Sequence, residues 1–261
     1  MVKAVFFDID GTLISFGTHR VPDSTVSVLE KIHRKGIRIF IATGRPKRII
    51  NNLSQLEERG LIDGYVTING SYCYLGDEVI YKESAPLAAV KTVGEYCAVN
   101  NVPCVVSTER EIYVTRPDGQ FRYLFYEYLH VDRMQVVDYG SLLSRRIFQL
   151  TPFFSPAQEQ EVRPFLTHCS IARWHPAFVD ITGGTKEQGI RQMLKVLGMD
   201  RQEIMAFGDG GNDRGMLRYA GIGVAMGQAA DDVKAAADYV TAPVDDGGVE
   251  KALRHFMPDL D

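Results

Sequence analysis

The chain has no block of positive charge, no apolar run approaching the ~20 residues a membrane span needs, and no cysteine pair at metal-binding spacing. Lysine and arginine number 29 against 33 acidic residues, a formal net charge of −4. Nucleic-acid binding through phosphate neutralisation therefore has nothing to rest on. The four cysteines, Cys73, Cys97, Cys104 and Cys169, fall in apolar surroundings. They read as buried reduced thiols, and a zinc site or a disulfide framework is not expected. Met1-Val2-Lys3 runs straight into a strand and reaches Asp8 too early for a signal-peptide core. With neither export nor membrane signals, the cytoplasm is the expected location. The chain has 261 residues, 45% of them hydrophobic and 24% charged, the make-up of a globular protein with one large domain or two medium ones.

What is present is an alternation of strand and helix at both ends. Lys3 to Phe7 reads as a buried strand, Pro22 to Lys35 as a helix stopped by Gly36, and Ile37 to Ala42 as a second strand. Pro46 is expected to open a helix carrying Ile49, Ile50, Leu53 and Leu56, before a third strand at Tyr65 to Ile68. This is the βαβ rhythm of a parallel sheet wrapped by helices. Asn69-Gly70 and Gly76-Asp77 look like hairpin turns. From about Ser84 to Thr182, helices (Pro86 to Val99, Pro156 to Leu166) mix with short strands (Val102 to Ser107, Arg146 to Thr151). After Gly183-Gly184 the alternation resumes, with a helix from Thr185 to Leu197, strands at Ile204 to Phe207 and Ile222 to Ala225, a helix at Val233 to Ala237 and a short strand at Tyr239 to Thr241. The expected organisation is a sheet domain built from residues 1–83 and 183–261, interrupted by an α+β domain at 84–182.

In open parallel sheets ligands bind at the carboxyl ends of the strands. The first strand ends on Asp8 and Asp10, whose spacing lets both carboxylates converge. Two close acids repel unless a cation or a shared proton compensates, so the pair asks for a metal. Alone, the segment reads equally as a strand followed by an Asp-Gly turn. The second strand ends in Thr43-Gly44-Arg45-Pro46, where a hydroxyl, an open backbone amide and a helix start would suit phosphate. Thr43 could equally be an ordinary N-cap and Arg45 a solvated charge. Lys186 stands at the first turn of a helix, where the dipole disfavours a cation, which suggests a local negative charge to answer; a surface lysine is the competing reading. The strand ending at Phe207 delivers Gly208-Asp209-Gly210-Gly211-Asn212-Asp213 to the same edge. Neither histidine nor cysteine occurs in these turns, so the donor set suits Mg²⁺. With metal and lysine neutralising repulsion, a carboxylate can attack phosphorus to form an aspartyl-phosphate.

The motifs Asp8-Ile9-Asp10-Gly11-Thr12, Thr43-Gly44-Arg45, Lys186 and Gly208-Asp209-Gly210-Gly211-Asn212-Asp213 appear in the order of the haloacid dehalogenase superfamily, which this chain resembles. The long insertion and the tail Gly223-Val224-Ala225-Met226-Gly227, Ala237-Asp238-Tyr239-Val240-Thr241 and Asp246-Gly247-Gly248-Val249 are similar to its Cof-like, type IIB branch. One departure is Gln228, where the branch has asparagine; it reads as a packing detail. The resemblance implies an α/β fold with a Rossmann-like core, a parallel sheet and an inserted α+β cap of the C2B type. It implies Asp8 as nucleophile, Asp10 as acid and then base, and Thr43, Gly44 and Asn212 on the phosphoryl group. Lys186 would neutralise the anion and orient Asp8, while Asp8, the Asp10 carbonyl, Asp209 and Asp213 would hold or support Mg²⁺.

The expected activity is hydrolysis of small sugar phosphates. A phosphosugar mutase, or a phosphatase for a nucleotide or pyridoxal phosphate, is the alternative, and a non-catalytic binding protein is the least favoured. The partner is a small phosphorylated metabolite, with no nucleic acid and no membrane; the oligomeric state stays open, a monomer being acceptable. Arg116, His130, Asp132, Trp174, His175 and Asp180 are insertion residues of a kind that could meet a sugar, each equally a surface or packing residue. Asp180, next to the return into the core, and Arg45 are the candidate substrate contacts.

Overall fold

The computed structural model describes residues 1–260, apart from the side chain of Trp174. It divides into two compact units: Met1–Tyr81 together with the chain from Lys186 onward, and Lys82–Thr185.

The first unit carries an eight-stranded sheet. Its centre is the strand Ala4–Phe7, flanked in parallel by Arg38–Ala42 on one side and Ile204–Gly208 on the other. Gly64–Thr67 extends the parallel array beyond Arg38–Ala42, and Ile222–Ala225 and Tyr239–Val240 extend it on the opposite side. Tyr72–Leu75 returns antiparallel to Gly64–Thr67, and Glu78–Lys82 closes that edge. The central strands are buried on both faces, which is why they are continuous apolar runs without alternation. Val5 and Phe7 face one core, shared with Leu29 and Ile32 of the helix Asp23–Arg34 and Val249 and Leu253 of the helix Gly248–Phe256. Ala4 and Phe6 face the other, shared with Ile190 and Met193 of the helix Lys186–Leu197 and Met216 of Arg214–Tyr219. Phe6 stacks on Phe40 and Phe7 on Phe207, each pair with ring centroids 4.8 Å apart, so the aromatic rings knit the strands that bear the site. Because these strands run parallel and in register, Asp8, Thr43, Ile68 and Asp209 leave the sheet at one edge.

Helix Asp23–Arg34 follows its local signals: an acid in the first turn, three basic residues in the last, and Gly36 at φ +80° accepting the left-handed exit. Three other segments differ from the sequence expectation. Pro46 does not open an α-helix; a three-residue 3₁₀ turn at Lys47–Ile49 and a four-residue helix at Ser54–Glu57 stand in its place, with Leu53 and Leu56 still buried. Pro46 takes extended ψ 144°, as Pro22 and Pro86 do before their helices, but here only a 3₁₀ turn follows. The helix expected at Val233 to Ala237 is limited to Asp231–Lys234. Helix Gly248–Phe256 was not anticipated, although Val249, Ala252, Leu253 and Phe256 carry its period.

The second unit is built on a six-stranded sheet in the order Ser170–His175, Phe178–Thr182, Ile147–Pro152, Cys104–Thr108, Ile112–Thr115, Gln135–Val136. All neighbours are antiparallel except the last pair. Helices Leu87–Val99 and Pro156–Val162 accompany it, and a helix Gly119–Arg122 passes into a six-residue π-helix, Tyr123–Tyr128. Phe121, Phe125, Phe153 and Phe178 form a linked aromatic cluster there. No helix among the described residues is long and apolar enough to cross a membrane.

Helix Lys186–Leu197 lies so close to the sheet that a Cβ on Gly189 would sit 2.6 Å from Val66 Cγ1 and 2.7 Å from Gly70 Cα. The backbone at Gly70 cannot yield, so Gly189→Ala must push the helix outward. Chemical unfolding should show a loss of about 1–3 kcal/mol; an unchanged midpoint would mean that the helix is free to shift.

Candidate active site

Lys186 lies in the first turn of its helix with its side chain completely shielded from solvent. Its Nζ donates to Asp8 Oδ1 at 2.5 Å and to Asp213 Oδ1 at 2.7 Å. The cation that the helix dipole disfavours is thus held by two buried carboxylates. Burial by itself pulls the Lys186 ammonium down, but Asp213 and Asp8 outweigh it and hold the ammonium well above its usual range. Asp213 spends its other oxygen on the backbone, where Oδ2 accepts from the amides of Asp209 at 3.1 Å and Gly210 at 2.9 Å. It therefore fixes both the lysine and the loop that presents Asp209.

Asp209 Oδ1 accepts from the Thr12 hydroxyl at 3.1 Å. Gly11, at φ +83°, is what lets these two segments meet: a Cβ there would fall 2.2 Å from Asp209 Oδ2. The Gln228 side-chain amide donates to the Gly11 carbonyl, so a residue whose sequence suggested only packing holds the turn behind the acids. One carboxylate oxygen from each of Asp8, Asp209 and Asp213 lies within 4.8 Å of the others. Three carboxylates face one ammonium. Burial raises Asp8 most; Lys186 opposes it, and Asp213, Asp209 and Asp10 push it further up. Burial and Asp213 together raise Asp209 from 3.8 to about 7. This crowded, all-oxygen donor set, short of positive charge, fits a small hard divalent cation such as Mg²⁺.

Asp10 stands apart from that trio. Arg45 grips it in a fork, Nε to Oδ2 at 2.8 Å and Nη2 to Oδ1 at 2.7 Å, and its Nη1 donates to the Ile49 carbonyl. Only 12% of the arginine side chain is exposed. The sequence left Arg45 as a solvated charge or a substrate contact; the structure places it on Asp10, the two-pronged geometry a guanidinium offers a carboxylate. Thr43 Oγ1 accepts from the Arg45 amide at 3.1 Å, and Gly44 is half-buried beside it. No α-helix starts at Pro46, so the helix-dipole argument for an anion at this turn does not hold; its donors are local amides and the hydroxyl. Asn212 Nδ2 donates to Asn69 Oδ1 at 2.9 Å. Thr12 carried no assigned role in the sequence, Gln228 read only as a packing detail, and Asn69 only as part of a hairpin turn.

In the second unit, Asp180 is buried on strand Phe178–Thr182, where its Oδ1 accepts from the Thr151 hydroxyl at 2.7 Å. His175 stacks on Phe178 and accepts the Ala177 amide on Nδ1, and burial lowers its pKa. Arg116, His130 and Asp132 are exposed, and the side chain of Trp174 lies outside the described residues.

Residues 5–253 match the family model for haloacid dehalogenase-like hydrolases. The chain belongs to that family. Among its hydrolase relatives, the candidate phosphatase YkrA of Bacillus subtilis (strain 168) is 33% identical over 256 residues, 97% of each chain. A solved structure of the subclass IIB sugar phosphatase BT4131 superposes with TM-score 0.95 at 52% identity, covering 98% of this chain and 99% of that one. A second solved structure, equally similar in these measures, is described as showing a conserved trigonal-bipyramidal intermediate in a phosphoryl-transfer superfamily.

The raised Asp209 sets a pH signature for this hydrolase. Its contribution to stability is complete below the ordinary value of 3.8 and is lost as pH rises through about 7, because the folded state then holds an ionised acid among like charges. A divalent cation competes with the proton and relieves that repulsion. Millimolar Mg²⁺ should therefore raise the melting temperature by several degrees at about pH 8 and scarcely at about pH 5. An equal shift at both pH values, read by differential scanning fluorimetry, would contradict the charge-crowded site.

Proposed function

We propose that this chain is a Mg²⁺-dependent phosphomonoester hydrolase for small sugar phosphates, acting through a phosphorylated Asp8. The carrying observation is the pairing of Asp8 with buried Lys186: a carboxylate at a strand end, one oxygen held by an ammonium at 2.5 Å, beside further acids able to bind a cation. An ordinary structural ion pair does not crowd three carboxylates around one lysine.

Asp8, Asp209 and the Asp10 carbonyl would hold Mg²⁺, with Asp213 supporting them through Lys186 and the loop. Bound there, the cation supplies charge neutralisation that lets two anions approach. An Asp8 oxygen attacks phosphorus, the bond from phosphorus to the sugar oxygen breaks, and Asp10 delivers a proton to that leaving oxygen. Water then attacks the phosphorus of the aspartyl-phosphate, Asp10 takes its proton, and inorganic phosphate leaves with Asp8 regenerated. The two carboxylates, two residues apart, have different surroundings: Asp8 sits against an ammonium and acids, Asp10 in the Arg45 fork. Lys186, Thr43, Gly44 and Asn212 would carry the phosphoryl oxygens, where preorganised donors lower the barrier.

Sugar phosphates are the favoured class because a phosphatase so described shares half of this sequence over nearly its whole length. The four free cysteines suit a reducing compartment, and the cytoplasm is the proposed site of action.

Phosphate release with Mg²⁺ across hexose and pentose phosphates, nucleotides, pyridoxal phosphate and phosphoserine tests both halves. Hexose and pentose phosphates should share the highest kcat/KM values. Asp8→Asn should abolish turnover with the circular dichroism unchanged, and Lys186→Ala should lower kcat by roughly two to three orders of magnitude. A preference of several hundredfold for a non-sugar would overturn the substrate class. Near-normal activity of Asp8→Asn would overturn the mechanism.

A further inference from the structure

Ile68, Asn69 and Gly70 follow the strand Gly64–Thr67 with three consecutive left-handed residues, at φ 52°, 47° and 88°. Gly70 adopts this region freely and asparagine tolerates it, but for the β-branched Ile68 it is a genuine outlier. Such strain persists where the surroundings over-determine it. Here they do. The Asn69 amide donates to the Thr43 carbonyl at 3.0 Å and the Ile68 amide to the Arg45 carbonyl at 3.3 Å. Helix Lys186–Leu197 closes against Gly70 through Gly189. Asn69 is 2% exposed, and its side chain accepts from Asn212. One turn thus touches the segments of Thr43, Lys186 and Asn212.

The turn also holds an unmet donor. Among the described residues, three buried side-chain polar atoms have no hydrogen-bond partner: Asn52 Oδ1, Gln149 Oε1 and Asn69 Nδ2. Only the last donates. A buried amide left unpaired is costly, and the cost is answered when an acceptor arrives. The strained Ile68 and the unpaired donor of Asn69 are neighbours in one turn, and together they point to a ligand that is rich in acceptor oxygens.

We infer that Asn69 binds the transferring phosphoryl group, its Nδ2 donating to a phosphoryl oxygen while Oδ1 keeps Asn212 in place. This rests on the phosphatase reading and adds to it a residue that none of the four sequence motifs contains. The side chain turns the hairpin after the third parallel strand into part of the anion cradle. A polar contact of this kind belongs to the phosphoryl group common to all substrates, so it contributes to rate and anion affinity and does not select the leaving group.

Asn69→Gly removes the amide and keeps the left-handed backbone at no steric cost. Asn69→Asp keeps the shape and the acceptor for Asn212 but sets a negative charge against the anion. Orthovanadate and inorganic phosphate serve as probes with the Mg²⁺-loaded enzyme, read as inhibition constants and, for vanadate, by calorimetry. Asn69→Gly should weaken both roughly tenfold to a hundredfold, the scale of losing a hydrogen bond to a charged group, and Asn69→Asp should weaken them more. Melting temperatures should stay within a few degrees of the parent, and the KM ratio between two sugar phosphates should not change. Unaltered vanadate and phosphate affinity in Asn69→Gly, with the parent binding both, would overturn the role of Asn69 and leave the phosphatase reading standing. A parent that binds neither probe and releases no phosphate would overturn the phosphatase reading itself.

Discussion

The buried ion triad of Lys186 with Asp8 and Asp213 is the constraint around which the first unit is arranged. Taking three charges out of water costs several kcal/mol per ion, and the return is adequate only with close geometry and with the remaining oxygens satisfied. The structure meets those terms piece by piece. Asp213 gives its second oxygen to two backbone amides, and the helix bearing Lys186 is seated tightly by Gly189. Asp8 leaves a strand whose neighbours are stacked ring on ring. Removing Lys186 would leave Asp8 and Asp213 buried without their cation, so the fold and the site share one set of interactions.

That arrangement also accounts for how the acids differ. Asp213 is spent on structure. Asp8 keeps one oxygen on the ammonium and stands among like charges that only a cation relieves. Asp10, two residues further, is handled by a separate arginine. A β-strand that ends and turns can send successive acids into different surroundings, and Gly11 is the hinge of that turn, since any side chain there would collide with Asp209. Local backbone geometry thereby sets two acids, two residues apart, in different surroundings.

Much of this was legible from the chain. Buried strands announced themselves as apolar runs, and the acids, hydroxyl and lysine that end them converge because parallel strands share a carboxyl edge. What could not be read were partnerships between segments distant in sequence. Arg45 gave no sign that it would grip Asp10, since a short loop can aim an arginine in many directions. Asn69-Gly70 looked like a plain hairpin turn, which it is, and nothing local told that its side chain would reach Asn212, 143 positions away. Gln228 was a small departure from a motif until it was seen holding the Gly11 carbonyl. After Pro46 the local signal misled: a helix start was expected there, and a 3₁₀ turn and a four-residue helix formed. In the second unit a π-helix interrupts the periodicity, and the strands Ser170–His175 and Phe178–Thr182 were not anticipated, so the candidate contacts there were selected by residue type alone.

The central claim is that the phosphoryl group is carried on Asp8. Its most direct test is to stop the enzyme with acid during steady hydrolysis of a sugar phosphate, reduce the trapped acyl phosphate with borohydride, and map the peptides by mass spectrometry. The account expects homoserine in place of aspartate at position 8, absent when substrate is omitted. Undiminished turnover with the modification at another residue, or with none at all under conditions that trap a known aspartyl-phosphate, would contradict it.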